Sequence, residues 1–105
     1  MAHILLTSDE VARDAMAELI LEYSTPIRSA GGERFAVRAL GEERPDGMWI
    51  GWLEFVPADG NGTTLKTDRE TTQPNRVTLE YWATGLEPVY FEGAFERAQR
   101  GQTVA

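Results

Sequence analysis

The amino-acid sequence predicts one small α+β domain whose elements follow the order helix, three antiparallel strands, and two helices. Apolar residues recur every three or four positions near both ends of the chain, as in amphipathic helices, and at every second position in the middle, as in strands. The length of 105 residues suits a single domain with one core. We therefore expect residues 1–105 to form one unit, with short frayed ends at about 1–6 and 101–105.

The first predicted helix covers residues 9–23. Val11, Ala15 and Leu19 form one row at i, i+4 spacing, and Ala12, Met16 and Ile20 form the adjacent row. Thr7 and Glu10 have the spacing of a capping box at its start. The residues at 24–26, Ser-Thr-Pro, are expected to end the helix, and residues 27–32 to form a flexible connection.

Three strands are predicted between residues 34 and 70, as a meander. The first, at 34–40, alternates in the way of a half-buried antiparallel strand, and the third, at 63–70, is polar enough to lie at an edge. The second, at 48–57, is apolar on both faces. Trp49 and Trp52 are three residues apart, which places them on opposite faces of this strand. The strand is therefore either covered on both sides, or one of its faces is a partner surface.

Two helices are predicted after the strands. Thr71 or Thr72 is the expected N-cap of the first, and Pro88 begins the second. Apolar stripes at helical spacing comprise Leu79, Trp82, Ala83 and Leu86 in the first helix, and Phe91, Ala94, Phe95 and Ala98 in the second. Gly85 and Gly101 are expected to end them.

The amino-acid composition argues against several classes of function. The net charge of −7 repels nucleic acid and anionic membrane surfaces, so neither is an expected partner. Cysteine is absent and His3 is the only histidine, which leaves no thiolate site, Ser-His-Asp triad or two-histidine metal centre. No catalytic residue, metal or cofactor is assigned. The start of the chain lacks the pattern of a secretory signal, which favours a cytoplasmic location.

The leading functional hypothesis is a non-enzymatic interaction or adaptor module that binds a protein partner or a second copy through a sheet face. Trp52 is the expected centre of that face, because exposing a tryptophan to water wastes apolar area. Tyr81 lies off its helix's apolar stripe and is a further binding candidate. An acidic mimic of a phosphate backbone is a third reading of the charge, although the acids are interspersed with arginines.

The second hypothesis places a small-molecule site or enzyme at 67–73, where a strand leads into a helix. Arg69 would orient an anion there, Asp68 or Glu70 would act as a base, and Gln73 would lie beside them. A plainer reading also fits, in which Arg69 pairs with a neighbouring acid and the threonines cap the helix.

Overall fold

The computed structural model describes residues 17–103. Within this range the chain forms six strands of one antiparallel sheet, followed by two helices. The strands are β1 (Glu18–Glu22), β2 (Ile27–Arg28), β3 (Arg34–Glu43), β4 (Trp49–Pro57), β5 (Leu65–Lys66) and β6 (Thr71–Gln73). The helices are α1 (Arg76–Thr84) and α2 (Pro88–Thr103).

The predicted order of one helix, three strands and two helices is wrong. Residues 18–22, assigned to the first helix, form β1, while the earlier part of that helix, including Thr7 and Glu10, lies outside the described residues. Residues 27–28, expected in a connection, form β2. Hydrogen bonding to β3 holds both segments extended, because pairing with an existing strand outweighs weak local helix preference.

Strands β3 and β4 form the centre of the sheet, a position that the two-sided apolar pattern of 48–57 predicted for β4. They pair antiparallel over nine residue pairs, from Phe35 opposite Pro57 to Glu43 opposite Trp49. Trp49 lies on the same face as Phe55, whereas Trp52 is opposite Leu40 on the other face. The prediction that the two tryptophans lie on opposite faces is confirmed.

The first edge of the sheet is a single line of strand that is interrupted once. β1 and β2 both pair with β3, in the same direction. The N–H of Tyr23 donates to the Val37 carbonyl at 3.0 Å, and Ile27 pairs with Phe35. Three residues of the edge, 24–26, therefore lie opposite the single residue Ala36 of β3. The edge thus has two residues more than β3 at this point. We call residues 24–26 the first insert.

The second edge repeats this arrangement on the other side of the sheet. β5 and β6 both pair with β4, so the predicted strand at 63–70 is in fact two short strands. The N–H of Thr67 donates to the Leu53 carbonyl at 3.0 Å, and Thr71 pairs with Gly51. Residues 68–70 thus lie opposite Trp52 alone and form the second insert. The expected edge position of this segment is confirmed.

Both helices pack on one face of the sheet, and this packing makes the core. The core joins Phe35, Val37, Ala39, Leu53 and Phe55 of the sheet to Ala83, Phe91, Ala94, Phe95 and Ala98 of the helices. The Phe95 ring lies between those of Phe35 and Phe55, with centroids 5.0 and 5.2 Å away. The two predicted C-terminal helices are confirmed, and their predicted apolar residues are buried or pack against the core, although Leu86 lies beyond the end of α1.

The helix ends differ from the prediction in two places. Thr71 and Thr72 lie in β6, and the N-cap of α1 is Asn75, whose side chain accepts a hydrogen bond from the Thr78 N–H at 2.9 Å. Gly85 is the C-cap of α1, as predicted. Gly101, however, does not end α2, which continues to Thr103.

Candidate functional site

The face of the sheet opposite α1 and α2 is the first candidate site. We call it the second face. It carries Ala36, Arg38, Leu40 and Glu42 of β3, and Ile50, Trp52, Glu54 and Val56 of β4. Apart from Trp52, these side chains are partly exposed, whereas the residues that alternate with them along β3 are mostly buried under the helices. The alternation thus leaves a half-exposed apolar surface on this side.

Trp52 is 7% exposed, although neither described helix lies on its face. A depression of about 420 Å³ opens beside it and is lined in part by Leu40, Arg38 and Lys66. Leu19 of the edge strand β1 pairs with Leu40 and is 50% exposed. Trp52 therefore lies at the base of this face, and Leu19 and Leu40 are more exposed apolar side chains beside it.

An ion pair lies in the middle of the second face. Arg38 and Glu54 are directly opposite each other on β3 and β4, and the Arg38 Nη2 lies 2.8 Å from the Glu54 Oε1. The Glu54 side chain is only 13% exposed, so the pair is shielded from solvent more than a typical surface pair. It holds the polar centre of the face in one geometry.

The charges of this face differ from those of the chain as a whole. The strand register places four basic residues on it, Arg28, Arg34, Arg38 and Lys66, against three acids, Glu22, Glu42 and Glu54. The whole chain has ten basic and seventeen acidic residues. The second face is thus slightly basic in an acidic protein.

The segment at 67–73 is the second candidate site, and its side chains do not converge on one pocket. Thr67 is buried, and its hydroxyl accepts the Leu53 N–H at 3.0 Å. Asp68 and Arg69, in the second insert, are exposed. Gln73 is half-buried and donates from its side-chain amide to the Thr71 hydroxyl at 2.7 Å. The Thr67 side chain thus holds the edge strand onto β4, whereas the Gln73 side chain bonds within β6.

Glu70 is turned toward α2. Its side chain is 8% exposed, and its Oε1 accepts hydrogen bonds from the Tyr90 hydroxyl and, at 2.5 Å, from the Arg97 Nη2. Burial, together with the neighbouring Glu70 carboxylate, raises the pKa of Tyr90 to about 12. The cation beside Glu70 is therefore Arg97 rather than Arg69. The sequence did not suggest this contact, because its members are 20 and 27 residues apart.

The remaining predicted candidate, Tyr81, is 80% exposed on α1 and lies away from both groups. Leu19 is the second-face residue that the sequence did not indicate, because it also fits a helical row. The run Leu19-Ile20-Leu21 between two glutamates was the available signal for a strand.

Within residues 17–103, no group of three or more His, Asp or Glu side chains is arranged to hold a metal ion. The helices of the same range are too short or too polar to cross a bilayer. In comparisons with known proteins, no protein-family model, curated protein sequence or solved structure matched this chain.

Proposed function

We propose that this domain is a non-enzymatic protein-interaction module and that the second face is its binding surface. The observation that carries the proposal is the one-sided packing of the described helices. Both cover the opposite face, while Leu19, Leu40 and Ile50 keep exposed apolar area around Trp52. Apolar area grouped on one face in this way is typical of a contact surface.

The charges of the second face indicate the chemistry of the partner. Within residues 17–103, the strands give this face four basic and three acidic side chains, so it repels a second acidic surface less than the rest of the described chain does. The ordered Arg38–Glu54 pair presents a guanidinium that is still 36% exposed at the side chain. The partner that fits best is a protein surface with an apolar centre flanked by carboxylates.

The 67–73 segment supports a chemical role less well. A general base needs a free carboxylate near its substrate. Glu70 already accepts two hydrogen bonds, and Asp68 is exposed in the second insert. This segment is better explained as the contact that fastens the sheet edge to α2.

The proposal is tested by a pair of matched variants. The tagged full-length chain is purified with its bound proteins from cells that make it natively, and a candidate partner is then purified alone for calorimetry. Leu19→Glu adds a carboxylate to the half-exposed apolar part of the surface, so it should weaken binding by about tenfold or more. Val89→Glu changes a 73% exposed valine on α2 and should leave the dissociation constant unchanged.

Both substitutions are at exposed positions, so unfolding in urea should show changes within about 0.5 kcal/mol. Equal binding by the unmodified chain and by Leu19→Glu would overturn the proposal. If light scattering instead shows a self-associated chain that Leu19→Glu makes monomeric, the surface stands and the partner is a second copy.

A further inference from the structure

A small cleft lies at the first edge of the sheet, away from the second face. It is formed where the first insert, residues 24–26, meets the connection between α1 and α2. Its volume is about 250 Å³. Drug-sized ligands occupy pockets of roughly 300–1,000 Å³, so this cleft is suited to a smaller molecule.

The cleft has fixed aromatic walls. The rings of Tyr23 and Phe91 meet edge to face, with centroids 4.5 Å apart. The Tyr23 hydroxyl donates to the Ala83 carbonyl at 2.7 Å, which holds the ring in place. Ile27 and Leu86 add aliphatic walls, and both pack against the core. An apolar ligand would therefore enter a site that is already formed.

The charge at the cleft is negative. Among the described residues that line it, Glu92 is the one carboxylate, and none is Lys or Arg. The Tyr23 phenol is neutral at physiological pH, and burial raises its pKa further, to about 12. The start of α2 offers few donors to an anion, because Pro88 has no N–H and the N–H groups of Tyr90 and Phe91 donate to the Glu87 carbonyl.

We propose that this cleft binds a small organic cation, an amine carried on a compact aromatic or aliphatic body. The apolar body would lie against Tyr23 and Phe91, where aromatic faces also attract a cation. The ammonium group would lie near Glu92, which is exposed at the cleft. This site and its ligand are independent of the proposed protein-binding surface.

The experiment compares two probes of the same shape. Amide spectra of the full-length, nitrogen-15-labelled chain are recorded at pH 7 during titration with 2-phenylethylammonium and with 2-phenylethanol. Saturable shifts are expected for residues 24–27 and 86–92. The ammonium should bind about three- to fivefold more tightly, the factor that one exposed ion pair supplies.

Two variants of α2 decide whether Glu92 causes this preference. Glu92→Gln should bring the two probes to similar affinity, whereas the control Glu96→Gln removes an exposed carboxylate that pairs with Arg100 and should keep the preference. The proposal is overturned if neither probe shifts the cleft amides, if the alcohol binds the unmodified chain as tightly as the ammonium, or if the preference survives Glu92→Gln.

Discussion

At the scale of single residues, a pair of glycines decides how closely α1 approaches the sheet. Gly41 of β3 and Gly51 of β4 are directly opposite each other, and Leu79 of α1 packs onto both. A Cβ at Gly41 would lie 2.4 Å from the Leu79 Cδ2, and one at Gly51 would lie 2.6 Å from the Leu79 Cδ1. Leu79 is fully buried, so it has little room to move away.

Gly51→Ala should therefore lower the free energy of unfolding by roughly 1–3 kcal/mol, the usual cost of forcing an extra methyl group into a packed core. Denaturation in urea measures the change. Gly31→Ala is the control, because the nearest atom to its added Cβ is the Ser29 Oγ at 3.8 Å, an ordinary contact. A Gly51→Ala variant as stable as Gly31→Ala would show that Leu79 does not pack as described.

At the scale of elements, the sequence predicted the central strands, the two C-terminal helices and the edge position of 63–70, but not the strands β1 and β2 or the break between β5 and β6. The pattern of β3 alternates because one of its faces is buried under the helices, whereas β4 is apolar on both faces. Both signals are local. β1 is different. Leu19 and Ile20 fit helical rows with residues 11–16 as well as they fit a strand, and only pairing with β3, about 20 residues away, decides between them.

Like the fold, the candidate surface could be predicted only in part from the sequence. The two-sided apolar pattern of β4 indicated a second face that includes Trp52, and the strand register confirms that Trp52 lies opposite to Trp49. The neighbours of Trp52 on that face could not be predicted, because Leu19 reaches it only through β1. In the same way, the sequence predicts that Glu70 is accessible to a ligand, because no residue near it in sequence indicates its contacts with Tyr90 and Arg97.

Both sheet edges are broken by inserts of two extra residues, and beside each break the edge is connected to a helix. Glu70 of the second insert accepts hydrogen bonds from Tyr90 and Arg97 of α2. Tyr23 precedes the first insert, and its hydroxyl donates to the Ala83 carbonyl of α1. Interrupted edge strands are poor templates for pairing with another chain. The hydrogen bond from Tyr23 compensates for the interruption by fastening the edge to α1.

Because the pKa of Tyr23 is raised, the free energy of unfolding should decrease at alkaline pH. Burial holds the folded-state pKa at about 12, against about 10 in the unfolded chain, so the folded state retains the proton between these values. The stabilisation that comes from this difference in pKa is complete below pH 10 and is lost as the pH rises toward 12. Unfolding in urea at pH 8 and pH 11 should show this decrease, and Tyr23→Phe should reduce it.

The pKa of Tyr90 is also raised to about 12, so Tyr90 contributes to the same loss of stability at alkaline pH. The decrease that remains in Tyr23→Phe should therefore disappear in the double variant Tyr23→Phe, Tyr90→Phe. If the single variant loses stability between pH 8 and pH 11 as steeply as the unmodified chain, the described environment of Tyr23 is wrong.

At the scale of the whole molecule, shape and charge are both distributed unevenly between the two sides of the sheet. The described helices and their core lie on one side. Among residues 17–103, the strands of the other side carry partly exposed apolar residues together with four basic and three acidic residues. We propose that the chain binds through this slightly basic, partly apolar face, where a second acidic surface is repelled less than elsewhere on the described part of the chain.

Site-specific photo-cross-linking tests this account most directly. Benzoylphenylalanine replaces Leu19 or Thr72 on the second face, or Val77 or Tyr81, which are exposed on α1. The chain is made and irradiated in its native cells, and cross-linked proteins are identified by mass spectrometry. We expect one shared partner to be captured from positions 19 and 72 at several times its yield from 77 and 81. Capture of that partner mainly from 77 and 81 would contradict the assignment of the second face as the binding surface.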